Sequence, residues 1–155
     1  MIERAMEYAR QVFAGDASGH DFDHTLRVFH MATNIAIEEN ADLETVQLAA
    51  LLHDVDDRKL STQTCENKDN AVSFLRENGV NQEKIKVIIQ IISQISFSAG
   101  NGTPSTLEGM CVQDADRLDA IGAIGIGRAF AFGSSRGRRI HDPEGKDTTT
   151  TIQHF

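Results

Sequence analysis

This sequence predicts an all-α fold, and three observations carry the prediction. Apolar residues recur at spacings of three and four along most of the 155 positions, and almost nothing alternates with a period of two. The breaks between periodic stretches hold Gly, Asn, Asp, Ser and Pro, and no internal repeat is visible. The expected architecture is a compact bundle of about six helices. At 155 residues, with 40% apolar and 25% charged side chains, the chain can bury one core but is too short for two ordinary domains.

Over residues 2–14, Ile2, Ala5, Met6, Ala9, Val12 and Phe13 share one face, an amphipathic helix that "AGDASGH" interrupts. From about His24 to Glu39, Val28, Phe29, Ala32, Ile35 and Ala36 mark a second helix. Asp42 reads as the N-cap of a third, whose apolar run from Val46 to Leu52 leads into "ALLHDVDDRK". Residues 67–78 read as a fourth helix ending before Gly79. Asn81 caps a fifth with Ile85, Ile88, Ile89 and Ile92 as its buried stripe. After the loop "SFSAGNGTPS", one long sixth helix is expected to start near Ser105 or Thr106. It would run through "LEGMCVQDADRLDAIGAIGIGRAF", its Gly122, Gly125 and Gly127 excused by close packing against a neighbour. The domain is expected to span 1–133. Residues 134–155 read as a polar loop and the start of a truncated C-terminal helix, "TTTTIQHF", expected to be mobile or to order only against another chain.

Charge narrows the function classes. A formal net charge of −8 argues against an extended nucleic-acid surface. The run "RGRR" at 136–139 is a local exception, either a solvated loop or a contact for a phosphate group. No uncharged apolar stretch reaches the length of about 18 residues that a membrane span needs. The N-terminus "MIERAMEYAR" lacks the apolar core of a signal peptide, so a cytoplasmic location is the expectation. Cys65 and Cys111 form no CxxC pair and are expected as reduced thiols.

The puzzle lies in "ALLHDVDDRK", where a core-forming run ends and His53, Asp54, Asp56 and Asp57 follow at once. Carboxylates at the C-terminal end of a helix oppose its dipole, so something positive is expected beside them. Two further stretches bring compatible side chains: "GHDFDHT" with His20, Asp21, Asp23 and His24, and "QDADRLD" with Asp114, Asp116 and Asp119. Imidazoles combined with carboxylates suit a divalent ion with open positions for water, whereas a closed structural zinc site would call for cysteines. An ordinary acidic surface is the competing reading of the same residues.

The order His24, then His53-Asp54, then Asp116 resembles the H…HD…D signature of the HD-domain metal-dependent phosphohydrolases. The likeness runs from "HDFDHTLRV" through "AALLHDVDDRK" and "DADRLDAIGAIG" to "HDPEGKD", closest to bacterial single-domain HD hydrolases, some acting on nucleoside triphosphates. The resemblance implies His24, His53, Asp54 and Asp116 as ligands of one divalent ion (Mn²⁺, Mg²⁺, Ni²⁺, Co²⁺ or Fe²⁺); Asp119, one turn further, is read either as orienting a ligand or a water or as a simple surface acid. The resemblance also implies Asp57, four residues after His53, as the catalytic carboxylate. Lys59 and Arg117 are expected to meet phosphate oxygens, with Arg128 and His20 as weaker candidates.

The function so implied is hydrolysis of phosphate esters or anhydrides of a small nucleotide, most directly a nucleoside triphosphate. The expected partner is that nucleotide or another phosphate substrate, with a homodimer compatible. Related sequences carry "HSFS" where this chain has Ile95-Ser96-Phe97-Ser98, which removes an imidazole that a substrate or second metal would meet. An alarmone hydrolase is the nearest rival. Its acidic pair falls four and five residues after the histidine, however, whereas Asp56 and Asp57 here fall three and four after His53. The other rival is a non-catalytic HD domain that binds a nucleotide or a partner.

Overall fold

The computed structural model describes residues 1–15, 21–56, 67–95 and 102–139. In them seven helices form and no strand: α1 (Ile2–Val12), α2 (Phe22–Glu39), α3 (Leu43–Leu52), α4 (Asp69–Glu77), α5 (Gln82–Ile95), α6 (Leu107–Asp119) and α7 (Gly122–Ser135). The all-α expectation holds. Helix α3 explains the arrangement, because all its residues from Thr45 to Leu52 except Gln47 are buried. A helix apolar all round must be covered on all sides, and α1, α2, α5 and α6 all pack against it. Alanines at the contacts (Ala5, Ala9, Ala32, Ala36, Ala49 and Ala50) have no exposed surface to speak of and let the helix axes come close.

The expected caps are largely in place. Asp42 accepts the Thr45 amide at 3.1 Å, Asn81 accepts that of Lys84 at 2.8 Å, and Thr106 accepts that of Gly109 at 3.0 Å. Asn40 closes α2 in the left-handed conformation, with the Ala41 amide returning to Ala36 O at 3.0 Å. Helix α4 is different. Its N-cap residue Lys68 gives no side-chain bond, and the cap comes instead from Asp56.

The long sixth helix is corrected to two. After Asp119 the backbone tightens, with the Ala120 and Ile121 amides each donating to a carbonyl three residues back at 3.2 Å. Gly122 then takes a φ of +72°, which no continuing right-handed helix accommodates. Close packing explains only Gly125, where a Cβ would overlap the Ala120 carbonyl; at Gly127 a Cβ would meet nothing. Helix α7 runs to Ser135, two residues past the expected domain end, and packs chiefly on α6. Ile121, Ile124, Ile126 and Phe130 on and beside it are exposed. Arg136 and Arg138 of the basic run lie over the Phe132 ring, 5.3 and 5.9 Å from its centroid. Cys111 is a buried free thiol. Cys65, most of the "SFSAGNGTPS" loop and the tail from 140 onward lie outside the described residues. No helix among the described residues is long and apolar enough to cross a membrane.

Candidate metal centre

Three helix ends meet at one point. His24 sits in the first turn of α2, set there by Asp21, whose carboxylate caps the helix by accepting the His24 amide at 2.9 Å. His53 and Asp54 follow the last residue of α3. Asp116 and Asp119 lie one turn apart in the last turns of α6. Because α2 packs on both α3 and α6, the three clusters converge.

Both imidazoles are buried, and each has its Nδ1 occupied. His24 Nδ1 donates to Asp119 Oδ2 at 2.7 Å, and His53 Nδ1 donates to the Ala50 carbonyl at 2.8 Å. A carbonyl or carboxylate can only accept, so each neutral ring carries its proton on Nδ1 and its lone pair on Nε2. Those lone pairs point at anions. His24 Nε2 lies 3.7 Å from Asp54 Oδ2 and 3.4 Å from Asp116 Oδ1; His53 Nε2 lies 3.3 and 3.8 Å from the same two atoms.

Lone pairs facing carboxylates repel unless a positive charge lies between them. His53 Nε2 is buried with no hydrogen-bond partner among the described residues, which is what a ligand atom awaiting a cation looks like. Metal bonds of about 2.0–2.2 Å put adjacent ligand atoms about 3–3.5 Å apart, close to the observed spacings. His24, His53 and Asp54 offer ligand atoms all within 4.8 Å of one another, with Asp116 closing the set on the more exposed side. The residues fit a divalent ion.

The carboxylates around His53 favour its protonated form. Burial alone would lower the His53 pKa, but the nearby charges of Asp54 and Asp116 outweigh it and push the imidazole up to about 9. Asp119 moves the other way. Burial raises it, but hydrogen bonds from His24 and Arg27, and then their charges, hold it well below the usual carboxylate range.

Of the sequence-predicted residues, His24, His53, Asp54 and Asp116 are brought together. Asp119 is 4% exposed and is no surface acid: it orients His24. Arg128 gives Nη1 to Asp119 at 2.8 Å, and Arg117, next to Asp116, is exposed. His20, Asp57 and Lys59 lie outside the described residues. The cluster in "ALLHDVDDRK" does not go to one place as a whole. Asp56 turns away, fully buried, and accepts the Asn70 and Ala71 amides at 3.1 and 2.9 Å at the N-terminus of α4. Sequence reasoning missed Arg27, whose Nε and Nη2 reach Asp119 at 2.6 and 3.1 Å. Its position three after His24, on the same helix face, was the available signal.

An HD domain model matches residues 21–121. The chain is 38% identical over 145 residues to the uncharacterised protein YpgQ of Bacillus subtilis, covering 92% of this chain and 71% of that one. The crystal structure of YpgQ in complex with ADP superposes with a TM-score of 0.76 at 36% identity, over 96% of this chain and 74% of that one. A Lactobacillus plantarum protein gives 0.81 at 36% identity, over 98% of this chain and 71% of that one. An HD-superfamily hydrolase from Bacillus thuringiensis gives 0.73 at 37% identity, over 99% and 76%. The order of His24, His53-Asp54 and Asp116 along the chain, the fold and the family model agree: the chain belongs to the HD-domain family.

Proposed function

We propose that this chain is a cytoplasmic, divalent-metal-dependent phosphohydrolase whose substrate is a small nucleotide, most directly a nucleoside triphosphate. The observation that carries the reading is the convergence of His24 Nε2, His53 Nε2, Asp54 Oδ2 and Asp116 Oδ1 at 3.3–3.8 Å, with both Nδ1 atoms already donating. The nucleotide part is supported by the relative YpgQ, whose structure was determined with ADP.

In this mechanism the four residues hold one divalent ion, with Mn²⁺ the first to test, which when bound polarises a phosphoryl oxygen and makes water a better nucleophile. The chain's own residues do the rest. Asp57 takes a proton from the attacking water as its oxygen bonds to phosphorus. The phosphoanhydride P–O bond breaks, and its electron pair leaves on the oxygen of pyrophosphate or phosphate. Arg117, with His20 and Lys59, offsets the charge that gathers on the phosphoryl oxygens, and Arg128 adds positive charge from the α7 side. Burial of Asp56 at the α4 N-terminus anchors the chain immediately before Asp57.

The alarmone reading is weaker. The acidic pair is out of register, and Asp56 is committed to α4. The test is a nucleotide panel with and without Mn²⁺, with products resolved, beside metal analysis of wild type and Asp54→Ala. Near one equivalent of metal, lost in the variant, and metal-dependent release of pyrophosphate or phosphate are expected. Metal and nucleotide binding with no turnover of any panel member would make the chain a binding module. Unchanged metal content in Asp54→Ala would sink the ligand assignment.

A further inference from the structure

One buried carboxylate gathers donors from two other helices, α2 and α7. Asp119 Oδ2 accepts from His24 Nδ1 at 2.7 Å, from Arg128 Nη1 at 2.8 Å and from Arg27 Nη2 at 3.1 Å, while Oδ1 accepts from Arg27 Nε at 2.6 Å. A carboxylate has about four acceptor sites, so this one is saturated. Balancing its charge would need one guanidinium, and it has two. Arg27 holds it side-on, Arg128 holds it from α7, and between them the carboxylate is kept from rotating away from His24.

We propose that Asp119 is the positioning residue of the metal centre, and that Arg27 and Arg128 act through it to lock His24 in the tautomer whose Nε2 is the ligand. Through Arg128, helix α7 becomes part of the centre although it supplies no ligand. This rests on the metal-centre reading and not on the identity of the nucleotide.

The geometry makes a specific forecast for Asp119→Asn. Two guanidinium groups can only donate, so they draw the carboxamide oxygen to themselves and turn its NH₂ towards His24. Nδ1 must then accept, the ring proton moves to Nε2, and the ligand nitrogen is capped. Nitrogen-15 NMR of the metal-free protein reads this directly as a switch of His24 from the Nδ1–H to the Nε2–H tautomer. Mn²⁺ affinity, titrated without nucleotide, should fall about 10–100-fold. Arg128→Met should weaken Mn²⁺ binding by a smaller factor, Arg128→Lys should restore part of it, and Asp119→Asn/Arg128→Met should be no worse than Asp119→Asn alone.

An unchanged tautomer with Mn²⁺ affinity within twofold of wild type in Asp119→Asn would reduce the cluster to a buried ion pair. Unaltered Mn²⁺ affinity in Arg128→Met, with a raised KM for nucleotide, would make Arg128 a phosphate contact and overturn its place in the scheme. Should Asp119→Asn not fold, the Arg128→Met and Arg128→Lys pair decides, because their Mn²⁺ affinities must then differ in the stated order. None of these measurements needs turnover, so failure of the hydrolase reading and failure of this one are separable.

Discussion

Asp56 offers the cleanest perturbation, because its job is structural although it stands two residues from the candidate ligand Asp54. Its carboxylate is fully buried and accepts the Asn70 and Ala71 amides, the second and third residues of α4. Those are the amides that an ordinary N-cap side chain would serve, and Lys68 at the cap position serves neither. Asp56→Ala removes two hydrogen bonds to a charged acceptor, roughly 1.5–3 kcal/mol each, while relieving the desolvation of one buried carboxylate. The net loss is expected near 3 kcal/mol, above the roughly 2 kcal/mol upper end for an ordinary cap. For a domain of this size that lowers Tm by about 6–12 °C. Asp56→Asn keeps one acceptor and sets its NH₂ against the other amide, at a cost of about 1–3 kcal/mol. Guanidinium unfolding measures both variants, and hydrogen exchange at the Ala71 amide localises the effect to α4. Metal content should remain at the wild-type level. A loss below about 0.5 kcal/mol in Asp56→Ala, or metal loss as complete as in Asp54→Ala, would refute the reasoning.

Three further predictions concern the centre and its neighbour α7. Asp57→Asn should keep its metal and roughly keep nucleotide affinity while kcat drops about 10²–10⁴-fold; a near-normal kcat in single-turnover assays would leave Asp57 a turn acid. In the metal-free protein the raised His53 pKa contributes stability that is fully present below its ordinary value of 6.5 and is lost as pH rises through about 9. Metal must displace that proton, so calorimetric titration should show proton release at neutral pH and affinity climbing by about tenfold per pH unit towards 9; flat affinity over that range would contradict it. Gly125→Ala puts a Cβ into the Ala120 carbonyl and should push α7 off the end of α6, costing roughly 1–3 kcal/mol. Unchanged amide protection along α7 would show that the close approach is not a constraint.

The sequence by itself determined the all-α class and singled out four candidate ligand positions, because both are written in local patterns. Periodicity of three and four, with Asp42 and Asn81 just before it, follows from backbone geometry and the unmet amides of a first turn. His24, His53, Asp54 and Asp116 stand at helix ends on runs that must be buried, so their chemistry could be read before their meeting was seen. The break at Gly122 was also legible as a helix stop, although the apolar run beyond it masked the signal.

Only the tertiary structure decided what the remaining charges do. Arg27 and Asp119 are 92 positions apart, and Asp56 meets the start of a helix 14 positions away in the chain. Composition holds no trace of such pairings, because a carboxylate takes its donor from whatever packing brings within about 3 Å. That is why two neighbouring acids that read alike, Asp54 and Asp56, part company. Asp54 faces the imidazoles and Asp56 caps α4, and the division is made by the direction of the backbone leaving α3. Asp57, one residue on, lies outside the described residues, and its role rests on chemical argument and the kinetics proposed above.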